Sequence, residues 1–83
     1  MSIRTTLTGD GAWHQIGTGP ATVELLSDGV SVMVESATSS PTGIDGLVLT
    51  GSGTSHTFQL ADAIWAQVVQ SGASAVVAVQ PEA

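Results

Sequence analysis

The sequence predicts an all-β fold, a small antiparallel β-sandwich or barrel of about eight short strands. Three observations carry this. Apolar residues alternate with polar ones at period two, most cleanly in Val30-Ser31-Val32-Met33-Val34. β-Branched residues fill most of the apolar runs, which suits a pleated, half-buried surface. Gly, Pro and Asp-Gly steps interrupt the chain every few residues, as turns between short strands require. At 83 residues, the chain reads as one β domain, 1–83.

Taken in order, Ile3 to Thr8 is a Thr-rich first strand, closed by the turn Gly9-Asp10-Gly11. A short strand follows from Trp13 to Gly17 and is broken by Gly17-Thr18-Gly19-Pro20. Ala21 to Ser27 is the third strand, with Val23 and Leu25 on one face and Thr22, Glu24 and Leu26 on the other. Ser27-Asp28-Gly29 is expected to close a tight hairpin onto Val30–Glu35, since Asp and Gly tolerate positive φ. Ser36 to Asp45 is a small polar loop, Gly46 to Thr50 a short buried strand, and Gly51 to Ser55 a flexible turn. His56 to Leu60 alternates again, with Phe58 and Leu60 expected to point inward.

The last third reads as one long β-hairpin. Its arms are Ala63–Gln70 and Ser74–Gln80, joined by Ser71-Gly72-Ala73 and stopped by Pro81, which has no N–H for a ladder. Leu60, Ile64 and Val68 are four apart and would also fit a helix capped by Asp62, but the β-branched pairs and the Ser-Gly turn favour a strand. Segment 24–34 aligns without gaps on segment 67–77: a polar residue, two aliphatics, a turn ending in Gly, then alternating small and aliphatic residues. Two equivalent hairpins account for it; a solenoid needs more repeats.

A chain this short buries only about 60–65% of the surface its unfolded form exposes. It contains no cysteine, so disulfides cannot compensate, and no Cys/His spacing suggests structural zinc. Charged residues make up 10%, against roughly 25% in typical soluble domains. These features predict self-association as the remaining source of burial, with a homo-oligomer as the working state. There is no lysine, Arg4 is the one arginine, and the formal net charge is −6. Phosphate-backbone binding needs clustered basic residues, so direct nucleic-acid binding is excluded, as is docking on an anionic membrane. The apolar runs are too short to span a bilayer, and Met1–Thr6 has no apolar signal core. Absent cysteines fit synthesis in a reducing cytoplasm.

His14 and His56 are the candidate bases near neutral pH, and Asp10, Asp45 or Asp62 could orient one. No nucleophile elbow, phosphate loop or metalloprotease helix accompanies them, so no catalytic residue and no enzyme activity is assigned. Single, widely spaced histidines give no ligand pattern, and Asp28-Gly29 and Asp45-Gly46 lack the alternating acids of a calcium loop, so no metal and no cofactor is expected. Trp13, Trp65 and Phe58 are the three aromatic residues. They are assigned as core or interface anchors, with a sugar-stacking role for either Trp as the alternative.

The stretch Trp13-His14-Gln15-Ile16-Gly17-Thr18-Gly19-Pro20-Ala21-Thr22-Val23-Glu24-Leu25 resembles the opening of small virion-associated proteins of tailed bacteriophages. In those a Trp-x-x-Ile/Val, a Gly-Pro-Ala step and a Val-rich hairpin recur. Phe58-x-Leu60, Ile64-Trp65-Ala66, Gly72 and the Val-rich tail resemble their C-terminal hairpin. The resemblance implies a structural virion protein made in the bacterial host cytoplasm. A capsid decoration or cement subunit, bound to the major capsid protein or another virion protein, is the first expectation. A tail- or fibre-associated module binding host-surface glycan is the alternative.

Overall fold

The computed structural model describes residues 2–41 and 47–81. Among these residues eight strands and no helix form: β1 Ile3–Thr8, β2 His14–Thr18, β3 Ala21–Leu25, β4 Ser31–Ala37, β5 Leu47–Thr50, β6 Ser55–Phe58, β7 Ala63–Val68 and β8 Ser74–Pro81. They make two four-stranded sheets, ordered β1-β8-β3-β6 and β2-β7-β4-β5, with all pairings antiparallel. The chain is therefore a small β-sandwich. The helix alternative at 60–70 falls away because β7 is held by ladders on both sides. Asp45 and Gly46 lie outside the described residues.

The alternating patterns decide the core. Ala21, Val23 and Leu25 of β3, Val32 and Val34 of β4, Ile64, Ala66 and Val68 of β7, and Ala75, Val77 and Val79 of β8 are all buried between the layers. Leu7, Ile16 and Leu49 add one inward residue each from the shorter outer strands. The core is thus aliphatic. Phe58 packs at its margin, and neither tryptophan belongs to it. Leu60 does not point inward as expected: β6 ends at Phe58, and Leu60 is exposed just beyond it. Gly17 marks a bulge in β2, where a side chain would drive into Cγ1 of Val79 at 2.9 Å. Its lack of a Cβ lets β2 settle against β8.

The two expected hairpins do not form. β7 pairs with β2 and β4, β8 pairs with β1 and β3, and no ladder joins β7 to β8. Likewise β3 lies in one sheet and β4 in the other. Each turn is an arch that carries the chain across the core from one layer to the next. The reason is that both arms of each arch place aliphatics on facing surfaces, so they meet through side chains across the ~10 Å gap between sheets rather than through hydrogen bonds. The turn glycines keep the backbone conformation the sequence requires, with φ of 74° at Gly29 and 78° at Gly72. Among the described residues β4 and β5 are the only consecutive strands that pair.

The two arches stack on each other, and the relation extends to the whole molecule. Exchanging β1–β4 with β5–β8 in order turns the first sheet, β1-β8-β3-β6, into β5-β4-β7-β2, which is the second sheet read backwards. The halves are related by an internal pseudo-two-fold. Every ladder among the described residues joins a strand of one half to a strand of the other. The sandwich is an intertwined dimer of similar halves in a single chain.

Candidate functional site

The sequence holds a second signal for this relation. Leu7-Thr8-Gly9-Asp10-Gly11-Ala12-Trp13-His14 and Leu49-Thr50-Gly51-Ser52-Gly53-Thr54-Ser55-His56 share the pattern Leu-Thr-Gly-x-Gly-x-x-His. Gly11 and Gly53 both have positive φ, at 74° and 93°. His14 opposes Ala66 and His56 opposes Val23, which are themselves matched positions of β7 and β3. The two histidines are thus symmetry counterparts, and the symmetry keeps them apart. β1 lies against β7 and β2 against β8 across the layers, so β2 and β6 occupy opposite margins of the sandwich.

Their surroundings have diverged. His14 Nε2 donates to both carboxylate oxygens of Asp10, at 3.1 and 3.0 Å. Asp10 also accepts the Ala12 N–H at 3.0 Å and so ties down its own turn. The hydrogen bond from His14, then that from Ala12, holds the Asp10 carboxyl below its ordinary 3.8. Ser52 stands where Asp10 would recur, and His56 instead packs edge-on against Phe58, with ring centroids 4.8 Å apart. A shallow hollow of about 260 Å³ beside His14 is lined by Thr5, Thr6, Leu7, Thr8, Asp10 and Gln15 as well. The His14–Asp10 pair is solvent-exposed. Of the two described acids among those proposed to orient a histidine, Asp10 is brought to one and Asp62 sits at the entrance to β7. No cluster of three or more metal-ligating side chains exists among the described residues.

The outer faces of the two sheets are the larger functional contrast. On the first sheet, β1 presents Arg4, Thr6 and Thr8 outward, β3 presents Thr22 and Glu24, and β6 presents Ser55 and Thr57. Thr22 and Thr57 join hydroxyls across the ladder at 2.8 Å. Only Val76 and Ala78 of β8 interrupt this polar surface. On the second sheet, Met33 stands between Val48 and Gln67 in one cross-strand row, and Trp65 between Gln15 and Glu35 in another. Val69 extends the face just past β7. A groove of about 360 Å³ runs here, lined by Ser31, Met33, Val48, Gln67, Val68 and Val69. Val48 and Val69 are about half exposed, at 50% and 49%.

Trp65 therefore belongs to this outer face. It is half-buried, and its indole N–H donates to the Ala37 carbonyl at 3.0 Å. Trp13 is half-buried at the entry to β2. Glu35 is the one carboxylate on the outer face of the second sheet among the described residues; Glu24 lies on the other sheet, and Asp10, Asp28 and Asp62 lie in turns. No helix of the described residues is long and apolar enough to cross a membrane. Comparison with protein families, with curated proteins and with solved structures finds no match to this chain.

Proposed function

We propose that this chain is a structural subunit of a tailed-bacteriophage particle, a capsid decoration or cement protein that works as a homo-oligomer. The observation that supports the reading is the outer face of the second sheet. It carries a groove with Met33, Val48 and Val69, has a single carboxylate, and sits on a chain with net charge −6. Val48 and Val69 are half exposed there, while Met33 is buried at the floor between Val48 and Gln67. Attachment through it needs no cluster of basic residues, and Arg4 is the one Lys or Arg of this chain. The partners are another copy and the major capsid protein or another virion protein; no catalysis and no cofactor enters. A second reading, a tail or fibre module gripping host glycan, rests on Trp65 lying on an outer face, where its ring could stack on a sugar.

The test is to purify particles from infected cells and locate the chain by mass spectrometry and labelled-antibody imaging. Regular labelling over the head is the expected result. Labelling confined to the tail would favour the glycan module, and absence from particles would overturn both.

A further inference from the structure

We propose that two copies of this chain associate by exchanging halves. Residues 2–41 of each copy pair with residues 47–81 of the other, which gives two sandwiches in one dimer. The inference deepens the homo-oligomer proposed above and rests on it for the identity of the partner; the interface comes from the ladders.

Neither half completes a strand pair from its own described residues. Every ladder crosses between halves. So do the backbone bonds that tie the arches: the Gly9 N–H donates to the Ala73 carbonyl and the Gly72 N–H to the Gly9 carbonyl. Side chains follow the same rule. Thr22 meets Thr57, Ser31 meets Thr50, and the Trp65 indole N–H reaches the Ala37 carbonyl. Asp10–His14 and Gly51–Thr54, which stay within one half, are turn contacts. The core is shared as well, with Val23, Leu25 and Val34 from one half against Ile64, Val68 and Val77 from the other. The contact between halves is therefore a domain core cut in two, which is what obligate dimer interfaces resemble.

One covalent link joins the halves, residues 38–46. A second copy offers each half the same strands in the same register, so exchange keeps every ladder. Charge does not oppose it at the contact, because no charged side chain is buried among the described residues. Pro41 favours it. The ring fixes its own φ and confines Ser40 to extended backbone, which biases the chain leaving β4 to run on rather than double back. A short flexible link holds the half in its own chain at an effective concentration on the order of millimolar. Closed chains therefore prevail in dilute refolding, and exchanged dimers form where copies are crowded. Once formed they persist on dilution, because reversion breaks every ladder between the halves.

The experiment refolds full chains together from urea at about millimolar concentration and then dilutes them. Thr22→Cys and Thr57→Cys put one thiol in each half, where the hydroxyls meet at 2.8 Å, in a chain with no native cysteine. The two variants refolded together should give a disulfide-linked pair of chains on mild oxidation. Thr22→Cys refolded with itself should give far less, and so should the two variants mixed after folding. Ile64→Asp and Val23→Asp each place a carboxylate in the core from a different half. Each alone should abolish the cooperative melt, and refolding the two together should restore part of it, a rescue that contact between outer faces cannot produce. Deleting residues 38–46 tests the link. Val34 opposes Leu47, and Ala37 lies three residues further along β4, about 10 Å away. Directly joined residues are only about 3.8 Å apart, so the shortened chain keeps its ladders by exchange alone and should sediment as a dimer. The disulfide decides the matter if that chain does not fold. No cross-chain disulfide above the controls, or a shortened chain that folds as a monomer, overturns the proposal. Particle location is read separately. Exchange in a chain absent from virions sinks the virion role alone, and a virion-bound chain that never exchanges sinks this inference alone.

Discussion

The two halves of this molecule share an architecture and differ in what they show to solvent. Residues 3–37 and 47–81 contribute matched strands, matched turns and matched inward apolar residues: Leu7 with Leu49, Ile16 with Phe58, Val23 with Ala66, Val34 with Val77. Even the backbone bonds that lock the arches correspond. The Val69 N–H donates to the Ser31 carbonyl at 2.9 Å, and the Leu26 N–H donates to the Val76 carbonyl at 2.8 Å. The second of these is displaced by one pleat. The same displacement appears in the central ladders, where Leu25 opposes Val77 but Val68 opposes Val32. A shift of two residues keeps every inward side chain inward, so it is tolerated; a shift of one would not be. Inside, then, the halves are held alike by packing. Outside, nothing in the fold constrains them, and there they part: Thr6, Thr22 and Glu24 stand on one sheet where Val48, Trp65 and Gln67 stand on the other, although a hydroxyl pair recurs as Thr22–Thr57 and Ser31–Thr50.

The strongest way to break the comparison is to separate its terms. Every ladder crosses between halves, so peptides 1–41 and 47–83 each lose all of their strand partners when parted. Neither should give a cooperative β signature by circular dichroism at low concentration, and an equimolar mixture should regain it. A half that folds alone as a monomer would show that the intertwined ladders are not what holds the sandwich.

A smaller effect sharpens the comparison inside the core. Ile64 is fully buried, and its counterpart Ala21 is equally buried with a far smaller side chain. Ile64→Ala should cost about 2–5 kcal/mol, a large part of the stability of so small a domain. Val34→Ala and Val77→Ala, at matched buried positions, should cost less and resemble one another. Urea denaturation of the three variants checks this. A cheap Ile64→Ala would mean that the second half can collapse onto the first.

The smallest effect lies at the turns, where the halves carry Asp10 and Ser52. The folded state depresses the Asp10 carboxyl below 3.8, first through His14 and then through the Ala12 N–H. A depressed carboxyl contributes stability above its unfolded value and loses it as pH falls through the folded one. Acidification below about pH 4 should therefore lower the melting temperature slightly more for wild type than for Asp10→Asn. The pair is exposed, so the difference is modest. Equal acid sensitivity of the two proteins would remove the contact from the account.

Much of the fold was legible along the chain. Period-two patterning located all eight strands to within one or two residues at most ends and put Val23, Leu25, Val32 and Val34 inside, because side-chain alternation is a local property of an extended backbone. The 24–34 and 67–77 likeness was also legible as two equivalent units. The candidate surface was less so. Met33 reads as the polar-side residue of its strand, and it gained an apolar neighbour on that face, Val48, only when β4 was set between β5 and β7, with Gln67 on its other side. Trp65 reads equally well as a core ring or as a surface ring, since a half-buried strand alternates either way.

By itself, the sequence determined that this chain is built of short strands, where they turn, which side chains the central strands bury, and that its one arginine cannot form a basic cluster. Tertiary structure alone decided which strands pair. A three-residue turn with a positive-φ glycine can return a strand beside its neighbour or carry it across to the facing sheet, and the local sequence is the same for both. The choice depends on which arrangement covers the aliphatic faces of the whole chain at once, and that balance is set by residues forty positions away. Here it made arches of both expected hairpins, wove the two halves together, and set Met33, Val48 and Trp65 together on one outer face.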